Sequence, residues 1–221
     1  MEFLPISKTN SGIHVEGYPD AAKLIKLDGP DTKRLASLSL HRVDLELAVQ
    51  CLEAINRVSD GSEVEREALW RSAIVAYFKC FQHSAARFQL REKDIYGAEP
   101  DGLVAFKHLK ALRDKHLVHD ENSYAQSIPA AVLNREGKPP KIAKIVCLNI
   151  FAKTLDQNNY NNLHLLIEKA KSWMIAEFDE HCNRLAQKLE AESYESLSKR
   201  EEVSVLPMPR VEEIGKDRNG A

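Results

Sequence analysis

Residues 62–91, SEVEREALWRSAIVAYFKCFQHSAARFQLR, decide the fold. Trp70, Ile74, Tyr77, Phe81 and Phe88 recur close to the 3.6-residue period of an α-helix, so one face of the segment is aromatic and apolar. Ser62, followed three residues later by Glu65, has the form of a capping box and predicts a helix start there. A helix with such a face must bury it against other elements, which makes this stretch core by default until it runs out near Arg91.

Working outward, the same periodicity returns on both sides. Upstream, Gly29-Pro30-Asp31-Thr32 suits a helix N-terminus, because proline fits the first turn and acids favour it. Leu38, Leu45, Ala48, Leu52 and Ile55 then form a stripe that Val58-Ser59-Asp60-Gly61 ends. Downstream, residues 97–102 read as a connection, and Leu103, Phe106, Leu109 and Leu112 predict a third helix fading near His119 to Asn122. From 154 to about 192 the stripe Leu163, Ile167, Ala170, Met174, Phe178, Leu185 and Leu189 predicts a last, long helix. Between them the helical signal fails: AVLN, REGKPP and KIAKIVCLN read as two short strands around a loop with Gly137, Pro139 and Pro140.

The expected fold class is therefore all-α: an antiparallel four-helix bundle with a small β-hairpin, about 124–149, inserted before the last long helix. Residues 30–192 form the expected helical domain. Residues 1–29 read as an N-terminal arm with one short strand around Ile13 to Val15, and 193–221 as a flexible C-terminal tail.

Composition fits one ordinary globular domain of 221 residues, at 43% hydrophobic and 29% charged, with only nine glycines and nine prolines. No apolar stretch approaches the roughly 18 residues of a membrane span, and MEFLPISKTN lacks the character of a signal peptide, so a cytoplasmic protein without membrane partners is expected. Cys51, Cys80, Cys147 and Cys182 are scattered without a CxxC pair and read as small buried hydrophobes. A formal net charge of −2 gives no global attraction to nucleic acid, so polyanion binding needs a local patch. Phosphate-cradling glycine loops, GxSxG, HExxH and CxxC motifs are all missing, and no cofactor is implied.

That patch is KHLKALRDKHLVHDEN, 107–122, where Lys107, Lys110, Arg113 and Lys115 accompany His108, His116 and His119. A guanidinium offers a planar fork of donors to a phosphate, and imidazole takes and returns protons near neutral pH. Together they suit RNA cleavage without a metal. Two plainer readings stand beside this one. Cations at a helix C-terminus complement its dipole, and Cys80 with His83 and His116 with His119 have ligand spacing for a zinc site between two helices. On an ideal helix Arg113 and His119 lie about 9 Å apart along the axis and about 240° apart around it, so one intact helix does not pair them.

The spacing Arg113, Asp114 and, five residues later, His119 resembles the Arg-to-His signature of the HEPN superfamily, and the aromatic helix with Trp70, Tyr77, Cys80-Phe81, Ser84 and Arg87 is similar to that of HEPN-like proteins associated with abortive infection in bacteria. The resemblance covers roughly 30–190. It implies a homodimer with a composite, metal-independent endoribonuclease site, serving as a toxin or antiviral effector restrained by an antitoxin protein. By that resemblance Arg113 binds the scissile phosphate, His119 transfers protons and Asp114 orients them, with His116, Lys110 and Lys115 as substrate-binding accessories. The alternative is a non-catalytic HEPN-like helical module that binds a nucleotide or a protein partner.

Overall fold

The computed structural model describes residues 6–9, 12–58, 62–119, 121–203 and 211–214. Its α-helices are α1 (Pro30–Ile55), α2 (Glu63–Lys79), α3 (Glu92–Tyr96), α4 (Pro100–Leu112), α5 (Gln157–Glu190) and α6 (Tyr194–Ser198). Two antiparallel hairpins accompany them: β1 (Ile6–Thr9) with β2 (Gly12–Val15), and β3 (Ala125–Leu133) with β4 (Ile142–Phe151). A π-helical turn, Arg113–Val118, continues α4, and a short 3-10 turn lies at Val211–Glu213. This corrects the all-α four-helix bundle: the chain is mixed, with six α-helices of very unequal length and two two-stranded sheets among the described residues.

The chain divides into two compact units, one made of 1–43, 82–90 and 171–221, the other of 44–81 and 91–170. In the first, Ile25 bridges to Glu202, and backbone bonds run from Lys26 N to Glu201 O at 2.7 Å and from Val203 N to Leu24 O at 2.9 Å. The segments read as arm and tail thus hold each other. Arg34 pairs with Glu177 at 2.7 Å and lies over the Phe88 ring, while the buried His41 donates from Nε2 to Phe88 O at 2.8 Å.

The second unit holds the aromatic core. Leu45, Leu52, Trp70, Ile74, Tyr77 and Phe78 are at most marginally exposed, as are Phe106, Leu109, Leu163 and Ile167. Trp70 donates from its indole to Thr154 Oγ1 at 3.1 Å, which satisfies the one polar atom of a fully buried ring. Tyr77, Phe78, Phe81, Tyr96 and Phe106 meet edge-on or tilted, apart from the stacked pair Phe81 and Tyr96, with ring centroids 4.8–6.4 Å apart. Tyr96 donates to Leu166 O at 2.9 Å and shares a 2.6 Å bond with Tyr77. Burial pushes both phenols well above their ordinary range.

Two local expectations also change. The helix expected over 62–91 stops at Lys79, and Ser62 makes no side-chain cap despite its spacing to Glu65. Cys80 N and Phe81 N close the end of α2 with tight turns to Tyr77 O at 3.2 Å and Phe78 O at 3.0 Å, and further on Ser84 Oγ accepts from Ala86 N at 3.1 Å. Phe88 therefore lies in a stretch without regular secondary structure rather than on the aromatic stripe.

Candidate functional site

The patch begins where α4 changes pitch. Arg113 N still donates to the carbonyls of Leu109 and Lys110, but from Arg113 to Val118 the backbone winds as a π-helix with its wider i→i+5 bonding. Such turns are rare and recur at functional sites. Glu121 N closes the end by donating to Lys115 O at 3.0 Å, and His119 leaves in extended backbone at φ −129, ψ 141. The rotation expected from an ideal α-helix therefore does not apply to 113–119. Asp120 lies outside the described residues.

Arg113 does not stand out in solvent. Its side chain is 10% exposed, its guanidinium lies 5.0 Å from the centre of the Phe78 ring, and Nε donates to Asp114 Oδ1 at 2.6 Å. Nη2 pairs with the same oxygen. Among the described residues nothing else hydrogen-bonds this guanidinium, so one carboxylate edge and one aromatic face fix its plane. Asp114 itself is 41% exposed and opens to solvent beside it.

His116 and His119 part company. His116 is buried, its ring set edge-on to Tyr124 with centroids 5.5 Å apart, and its Nδ1 is shielded without a partner among the described residues. Tyr124 is the root of the β3–β4 hairpin: its carbonyl accepts from Ala152 N at 2.8 Å and its N donates to Asn122 Oδ1 at 3.0 Å. His116 thus joins the π-turn to that root. His119 is exposed and makes no hydrogen bond, ion pair or ring contact with a described residue. The structure brings together Arg113 with Asp114 and His116 with Tyr124, but joins neither pair to His119.

Lys107, Lys110 and Lys115 are exposed and form no ion pair with described residues, while His108 Nε2 is tied to Asn159 Oδ1 at 3.0 Å. Lys107, Lys110, Lys115 and His119 are thus exposed along α4 and the π-turn without an ion pair to any described residue. Cys80 is buried and its thiol points to Ala76 O, whereas His83 is exposed. Among the described residues no three His, Cys, Asp or Glu side chains cluster closely enough to hold a metal ion.

Sequence reasoning missed two features. The π-turn has no compositional signature, since nothing in RDKHLV distinguishes it from an α-helical end. A cleft of about 990 Å³ at the N-terminus of α1, bordered by Lys26, Lys33, Arg34, Arg87 and Phe88, depends on chain segments too far apart in sequence to be seen together. No family model, no curated protein and no solved structure matches the chain.

Proposed function

We propose that the protein is a metal-independent endoribonuclease of the HEPN kind, acting on RNA as a toxin or abortive-infection effector and held in check by an antitoxin protein. The observation that carries the reading is the set Lys107, Lys110, Lys115 and His119, exposed and unpaired with any described residue, beside a guanidinium already oriented by Asp114 and Phe78. The ammonium groups meet successive backbone phosphates. His119 takes the proton of a ribose 2′-hydroxyl as its oxygen attacks phosphorus; the bond from phosphorus to the 5′-oxygen breaks, and that oxygen takes a proton from a water molecule as it leaves. The products are a 2′,3′-cyclic phosphate and a 5′-hydroxyl. Arg113 stabilises the charge that develops on the phosphoryl oxygens, and a second copy of the chain completes the site. His116 acts through position alone, holding the π-turn against Tyr124.

Expression of the wild type with Arg113→Ala and His119→Ala variants, followed by cell growth and RNA integrity, tests this reading. Wild-type expression should arrest growth and degrade RNA, and either substitution should abolish both effects. Intact RNA under the wild type would refute it.

One observation favours a second reading. Asp114 already neutralises Arg113, and the side chain is only 10% exposed. A phosphate-binding module that holds RNA or a nucleotide without cleaving it needs the lysines and not the guanidinium. In that case binding would depend on Lys107, Lys110 and Lys115 and would survive Arg113→Ala.

A further inference from the structure

The β3–β4 hairpin is bare on both sides. Ile128, Leu148 and Ile150 share one face, Ile145 and Phe151 the other, and all are 48–72% exposed. The strands have 9 and 10 residues, AQSIPAAVL and IAKIVCLNIF, with Lys144 as their one charge. A two-stranded hairpin is marginal in water by itself, and an uncharged, apolar strand edge is a template for another strand.

The two outer edges differ. Ala152 N donates to Tyr124 O, so the 124/152 pair is of the hydrogen-bonded kind. Antiparallel pairs alternate, and the register runs unbroken from there to Pro129 opposite Cys147, which makes that pair, five positions along, non-hydrogen-bonded. Proline fits there because its missing N–H would have pointed away from the partner strand. The edge of β3 consequently lacks a donor at its middle. On β4 the same phase turns the N–H and C=O of Ile145, Cys147 and Asn149 outward, with no proline and no acidic residue to guard them. β3 and β4 pair with no further strand among the described residues.

We propose that β4 is the self-association edge of this protein. Two copies pair β4 to β4, antiparallel about a two-fold axis near Cys147, and make a four-stranded sheet in the order β3–β4–β4–β3. Self-pairing fits the chemistry of the edge. With one charge there is no pattern for an oppositely charged partner to read, and an axis at Cys147 sets each Lys144 opposite Ile150 of the second copy, about 20 Å along the strand from the other Lys144. It also fits the count. Pairing uses both open edges and leaves outside only the two edges blunted by Pro129, so assembly closes at two copies instead of growing into a fibre. The proposal rests on the hairpin alone and not on the chemistry of Arg113 and His119.

Sedimentation velocity of the full chain across micromolar concentrations, with a short bis-maleimide cross-linker as a second readout, tests it. Cys147 is exposed, whereas Cys51 and Cys80 are buried and Cys182 is partly covered. The expected result is a dimer, cross-linked through Cys147 and no longer cross-linked in Cys147→Ser. Cys147→Pro and Asn149→Pro each remove an outward N–H without touching a β3–β4 hydrogen bond, and each should weaken dimerisation at least tenfold with an unchanged circular dichroism spectrum. A wild type that is monomeric throughout, or a dimer that neither proline variant weakens, overturns the proposal. An RNA-cleaving dimer that neither proline variant weakens would overturn it while leaving the ribonuclease reading standing; an inactive dimer that both variants weaken would do the reverse.

Discussion

The aromatic floor beneath Arg113 contains a hydrogen-bond relay whose direction can be tested. Tyr96 has one hydroxyl proton and gives it to Leu166 O, so the 2.6 Å bond between the two phenols must be donated by Tyr77. Tyr77→Phe removes that donor and leaves Tyr96 bonded to Leu166, a loss of about 1 kcal/mol. Tyr96→Phe removes both bonds and strands the Tyr77 O–H in a fully buried position, which raises the cost to about 3 kcal/mol. In the double variant no stranded donor remains, and the cost returns to about 2 kcal/mol. Tyr77→Phe should therefore destabilise the wild type but stabilise Tyr96→Phe. Equilibrium urea unfolding of the four proteins, with equal denaturant slopes as the control for two-state behaviour, reads the cycle directly. If Tyr77→Phe costs the same in both backgrounds, the relay is refuted.

Burial raises the Tyr77 and Tyr96 phenols above their ordinary value of 10.0, so both are neutral in the folded state at pH values where the unfolded chain has released its protons. Stability is fully present below pH 10 and falls above it, by up to about 1.4 kcal/mol per pH unit for each phenol, and the double phenylalanine variant should flatten that fall. Replacing Lys107, Lys110 and Lys115 together by alanine should reduce the slope of log affinity for single-stranded RNA against log salt by about 2, measured by fluorescence anisotropy. Phe78→Leu keeps an apolar side chain but removes the ring under Arg113; a loss of about 1–2 kcal/mol in urea unfolding is expected.

The long helices and the β3–β4 hairpin were legible in the sequence; the way they pack was not. α1 and the first half of α5 were legible because Leu38, Leu45, Leu52, Leu163 and Ile167 sustain one period over many turns, and all are fully buried. The bundle was not, because periodicity shows which face of a helix is apolar and says nothing of which elements that face meets. α2 ends at Lys79, before its apolar stripe runs out, and the stripe alone does not reveal that stop. The hairpin was visible from its breakers, Gly137, Pro139 and Pro140, but its reach from Ala125 to Phe151 and its bare faces depend on what fails to pack on it. At the candidate site, composition located the cluster of cations. It could not forecast that Arg113 lies largely buried on Phe78, since a charged side chain is expected outside. Nor could it separate buried His116 from exposed His119, two imidazoles three residues apart whose fates are decided by a π-turn and by Tyr124.

The decisive measurement is cleavage of a defined RNA by the purified full-length protein in excess EDTA, with a matched strand carrying a single 2′-deoxy sugar at the cut site. The account predicts cleavage of the first strand to a 2′,3′-cyclic phosphate end, none of the second at that position, and losses of about 10²–10⁴ in rate for His119→Ala and about 10²–10³ for Arg113→Ala. Cleavage that survives both substitutions, or that requires a divalent ion, would contradict it.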